Sequence, residues 1–119
     1  MTVREMVQAV PLKVLAGSSF LDRPVTGGYA SDMLSLVMAG AKAGNVWVTM
    51  QGHPNVAAVA SLLGLAAVVV TEDSPVDPAT LQRAEENGVP VLTTGLDTFS
   101  LVAELSRLGV RGVRSGPGS

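Results

Sequence analysis

The chain has 119 residues, 47% of them apolar and 15% charged, with a formal net charge of −2. That is the make-up of one compact domain able to bury a core without staples, not of a disordered segment. The absence of cysteine excludes disulfides and thiolate metal sites, a single histidine excludes a histidine-rich metal site, and the missing basic surplus excludes a nucleic-acid binder.

In chain order, Thr2 followed by Glu5 is a capping-box pattern that predicts a first helix with Met6, Val7 and Val10 on one apolar face, stopped at Pro11. Leu12–Ala16 reads as the first strand. After Asp22-Arg-Pro, Val25-Thr26 begins a strand, and Gly27-Gly28 frees the backbone for positive φ or for a close approach. Ser31-Asp32 is helix N-cap chemistry, which predicts a helix from about Ser31 to Ala43 closed by Gly44. Asn45–Thr49 is a β-rich run. The apolar stretch Val56–Val70 is too short for the roughly 20 residues of a membrane span. It reads as a helix opened at Pro54 or Asn55 and closed by Gly64, then a buried strand over Ala66–Val70.

Thr71–Asp77 is a polar loop, with Glu72 and Asp73 expected to be solvated. Asp77-Pro78 starts a helix that ends at Asn87-Gly88. Val89–Thr93 is the next strand. Asp97 caps a last helix in which Phe99, Val102, Leu105 and Leu108 recur at helical spacing. From Trp47 onward, strand and helix alternate with short connections, which calls for a parallel sheet with right-handed crossovers. The expected fold is a small three-layer α/β sandwich with a mainly parallel sheet. Residues 1–110 are expected to form the single domain, and 111–119, rich in glycine, serine and proline, a loose tail. Trp47 is expected in the core or a subunit interface, and Met33, Met38 and Met50 are expected to fill packing gaps.

Asp22, Arg23, Thr26, Gly27 and Gly28 resemble the signature of the DRTGG domain family. The longer string Val25-Thr-Gly-Gly-Tyr-Ala-Ser-Asp-Met-Leu34, with Trp47–Asn55 after it, is similar to the small stand-alone members. The resemblance implies a fold like the N-terminal domain of HPr kinase and a regulatory or dimerising role, since family members occur beside CBS domains in some pyrophosphatases. It does not imply the kinase: no G-x-x-x-x-G-K-[ST] phosphate loop is present. A G-x-G-x-x-G after a strand and a G-x-S-x-G elbow are also missing, and the one histidine has no serine and carboxylate partners in sequence.

Ligands of open parallel sheets bind beyond the carboxyl ends of the strands. Those ends carry Gly17-Ser-Ser19, Thr49–His53, Thr71–Asp73 and Thr93–Gly95, rich in hydroxyls and helix N-termini but poor in cations. The candidate ligand residues are Arg23, Thr26, Gly27, Gly28, Gln51, His53 and Thr71. Each has a structural alternative: a tight strand-to-helix connection at Thr26–Gly28, pairing of Arg23 with Asp22 or Asp32, and a loop cap at His53. The chain is therefore read as a non-catalytic regulatory module without cofactor or metal. It is expected to be cytoplasmic, off the membrane and homodimeric, and to bind a nucleotide-like or other anionic small molecule. The alternative is a structural docking protein for a partner enzyme.

Overall fold

The computed structural model describes residues 1–114. Helix α1 (Val3–Ala9) opens with the capping box, in which the Thr2 hydroxyl accepts from the Glu5 amide and the Glu5 carboxylate accepts from the Thr2 amide. There follow β1 (Lys13–Ala16), a 3-10 turn over Ser18–Phe20, β2 (Gly27–Ala30), α2 (Leu34–Gly40) and β3 (Asn45–Thr49). The chain continues through α3 (Pro54–Leu63), β4 (Ala67–Val70), α4 (Pro78–Asn87), β5 (Val91–Thr93) and α5 (Thr98–Arg107).

The strands form one sheet in the order β1-β5-β4-β3-β2. Strands β2 to β5 are parallel, and β1 runs antiparallel to β5 at one edge. Each parallel strand is laid beside its predecessor, so the crossover helices α2, α3 and α4 share one face. Trp47, Val68, Val70 and Val91 point to that face and pack on Val37, Val56, Ala57, Ala60 and Ala84. Val46, Val48, Ala67, Val69 and Leu92 point the other way and pack on Val3, Met6, Leu101 and Leu105 of α1 and α5. The sandwich has three layers, and coverage of both faces explains why β3 and β4 are buried from end to end.

Helices α3 and α4 begin and end where their punctuation predicts, with prolines in the first turn and Gly64 and Gly88 as left-handed caps. Several other expectations differ. Gly27 and Gly28 are strand residues of β2, not a turn, and neither has positive φ. Helix α2 is shorter than expected, running from Leu34 with Met33 at the N-cap to the Ala41 cap. Gly44, at φ 82°, turns the chain into β3 instead of closing the helix. The buried stripe of α5 is Leu101 and Leu105, whereas Phe99 and Val102 face out. Met33, Met38 and Met50 are exposed and fill no gap in the core. Trp47 is fully buried, with its indole N–H donating to the Ser31 carbonyl. The expected boundary at residue 110 falls beside further pairing: the Gly28 amide donates to the Arg111 carbonyl at 2.9 Å, and Gly112 bridges Gly28 in parallel. The rest of the expected tail, 115–119, lies outside the described residues.

Candidate functional site

The candidate residues divide between the two ends of the sheet. Arg23, Thr26, Gly27 and Gly28 sit where β2 begins, beside the entry to β3. Gln51, His53 and Thr71 sit just past the carboxyl ends of β3 and β4. Five residues of β3 separate the two groups by roughly 13 Å at about 3.3 Å per residue. They do not converge on one site.

At the first end, the side chains are engaged with the fold. Arg23 donates to the Leu65 carbonyl at 3.2 Å, ahead of β4, and its guanidinium lies 5.6 Å from the Phe20 ring centroid. It pairs with neither aspartate considered for it. Asp22 is held by Arg4, at 2.9 Å. That hydrogen bond, then the charge of the guanidinium, lowers the Asp22 pKa below the usual aspartate value and raises that of Arg4. Asp32 instead accepts from the Thr49 hydroxyl and the Met50 amide, both at 2.7 Å, and so ties the segment after β2 to the end of β3. The Thr26 hydroxyl donates to Ala43 O at 2.9 Å, its amide donates to Gly44 O at 2.9 Å, and the Asn45 side-chain amide donates to its hydroxyl. No free row of amides is left on a glycine turn. The Gly28 N–H is already given to Arg111, so the phosphate cradle expected at Gly27-Gly28 is replaced by a close approach of two backbones.

At the second end the backbone is equally engaged. The Thr49 hydroxyl accepts from the Gln51 amide, and Gly52 O accepts from both the Thr80 hydroxyl and the Asp77 amide. Thr71 is buried, and its hydroxyl shares a 2.7 Å bond with that of Thr98. Glu72 and Asp73 adopt left-handed φ of 65° and 55° in a turn closed by Ser74 N–H to Thr71 O. Glu72 is not simply solvated, because its carboxylate accepts from the Thr98 amide at 2.8 Å and caps the first turn of α5. His53 caps α3, Nδ1 accepting from the Asn55 amide. That leaves its exposed Nε2, and the exposed amide of Gln51, as polar groups of this rim without a protein partner among the described residues. Asp32, Asn45 and Glu72 were not singled out as anchors, because each acts on a partner distant in the chain or on an unusual backbone that only Gly or Asn would have signalled.

Two further features bound the chemistry. The parallel strands progress in one direction, so the sheet has no switch point among them at which diverging helices would open a crevice. Among the described residues, no group of three or more acidic or histidine side chains is placed to hold a metal, and no helix is long and apolar enough to cross a membrane.

Fold and strand ends together define a small α/β sandwich whose recurring sequence features serve its own framework. The DRTGG domain model matches residues 25–108, well over half of the chain, and the chain belongs to the DRTGG domain family. Curated proteins provide no match. Among solved structures, it is similar to the crystal structure of the CBS and DRTGG domains of the regulatory region of Clostridium perfringens pyrophosphatase, complexed with the activator diadenosine tetraphosphate. The TM-score is 0.71 at 13% identity over 87% of this chain, which spans only 45% of that one. At that identity the likeness concerns the fold.

Proposed function

We propose that this chain is a non-catalytic regulatory module that works as a homodimer and binds a nucleotide or another anionic small molecule. The observation that carries the reading is membership of the DRTGG family, joined to a fold shared with a regulatory region that binds a dinucleotide activator. Of the seven candidate residues, Gln51 and His53 are the ones whose side chains keep donors for a ligand. We place the contact at this rim, beside the start of α3.

A thermal-shift screen with diadenosine tetraphosphate, ATP, AMP and phosphate tests the reading. A ligand at ten times its dissociation constant adds about 1.4 kcal/mol, roughly several degrees in a domain of this size. His53→Asn preserves a capping acceptor while removing the Nε2 donor, so it should keep the unliganded melting temperature and lose the shift. No saturable shift with any of the four would sink the sensor. The second reading, a docking protein for a partner enzyme, draws on the large apolar side chains left exposed, including Met33, Leu36, Phe99 and Val102. Capture of one defined enzyme by a chain that binds none of the four compounds would favour it.

A further inference from the structure

We infer that the β2 edge of the sheet is the surface on which a second copy of this chain docks; the inference rests on the homodimer proposed above and names its interface. The two edges of the sheet are built differently. At the β1 edge, Lys13 is exposed, the register with β5 shifts between Val14 and Ala16, and the cavity alongside is lined by Gln82, Glu85 and Glu86. Charge and irregularity of this kind keep an edge strand from pairing with another chain.

The β2 edge carries neither. Its sequence is Gly-Gly-Tyr-Ala, and it lies between two grooves. One, about 280 Å³, is walled on the α5 side by Val48, Val102 and Leu105, and the other, about 630 Å³, by Leu36 of α2. Leu36 is 50% exposed, Val102 is 40% exposed, and α2 has no charged residue along its length. The chain covers this edge itself only at Gly28, through Arg111 and Gly112. Two residues on, Ala30 is exposed, and its peptide groups point to the same outer side by the alternation of the strand.

This contrast selects the occupant. Pairing of β2 with the β1 edge of a neighbour would be head-to-tail and would not close, and the β1 edge is guarded against it. A two-fold contact of β2 with β2 closes after two copies. With the axis normal to the sheet, it sets Leu36 near its counterpart on one face and Val102 near its counterpart on the other. Apolar residues then meet apolar residues, and neither β2 nor α2 brings a like-charged pair to the contact.

Sedimentation velocity of the full chain over a micromolar range, with Leu36→Glu and Val102→Glu beside it, tests the inference. Both positions are exposed, and thermal melting checks that each variant folds. The wild type should be a dimer that each substitution weakens by about tenfold or more. Leu62→Glu, at a 72% exposed position on α3 outside both grooves, should leave it intact. A dimer indifferent to Leu36→Glu and Val102→Glu overturns this interface but keeps the homodimer. A monomeric wild type overturns both, while the ligand screen still reads the sensor separately.

Discussion

At Gly27 a methyl group would stand 2.9 Å from the Arg111 carbonyl oxygen and 3.2 Å from the Asn45 side-chain nitrogen. The first neighbour is backbone, so relief requires the segment after α5 to move. At Gly28 the nearest atom is Cγ1 of Val110, also at 3.2 Å, but it belongs to a side chain that can rotate. The paired glycines therefore differ in what they protect. Gly27→Ala should destabilise the domain by about 1–3 kcal/mol through overpacking against backbone. Gly28→Ala should be close to neutral, since alanine also recovers roughly 0.5–1 kcal/mol of strand entropy over glycine. Urea denaturation of both variants checks the ranking, and equal losses would contradict it. At this scale the family signature is a set of clamps: Asp22 to α1, Arg23 to the start of β4, Thr26 to the start of β3, and the glycines to the returning chain.

Among the elements, α5 has an entry built from two sides. Asp97 takes the Ser100 amide, with its carboxyl pKa lowered first by the Ser100 hydroxyl and then by that amide. Glu72 takes the Thr98 amide from a residue held at positive φ. Left-handed backbone costs a residue with a Cβ about 1–2 kcal/mol, and Glu72 keeps that conformation while its carboxylate caps the helix. Glu72→Ala should lose the cap and retain the strain, costing about 1–2 kcal/mol. Glu72→Gly should lose the cap but shed the strain, and so unfold at a higher urea concentration than Glu72→Ala; the reverse order would show that the turn is not strained. Such local features also decide what a sequence discloses. Helices α3 and α4 were legible because their prolines, caps and terminal glycines act on their own neighbours. Helix α2 was misjudged because Ser31-Asp32 has the chemistry of a cap, yet Asp32 is captured by Thr49 and Met50 across the sheet. The exposed face of α5 was misjudged because Phe99 and Val102 share helical spacing with Leu105, and spacing cannot say which of two adjoining stripes meets the sheet.

For the whole molecule, the alternation of strands and helices from Trp47 onward was enough to anticipate a layered, mainly parallel sheet. The position of the candidate site was not legible in the same way. The signature clusters in sequence, but its partners, Leu65 for Arg23 and Arg111 for Gly28, are supplied only by the closed sheet. The same closure makes one sheet serve two cores. In β3, Trp47 faces the α2–α4 layer while Val46 and Val48 face α1 and α5, so neither core can come apart without exposing a strand of the other. The domain is therefore expected to unfold as one unit. Trp47, the sole tryptophan, reports on one layer, whereas far-ultraviolet circular dichroism reports on helices of both. The two signals should fall at the same urea midpoint with the same slope. A fluorescence transition that separates from the dichroism would mean that α1 and α5 leave the sheet on their own, and that the layers are coupled less tightly than their shared strands require.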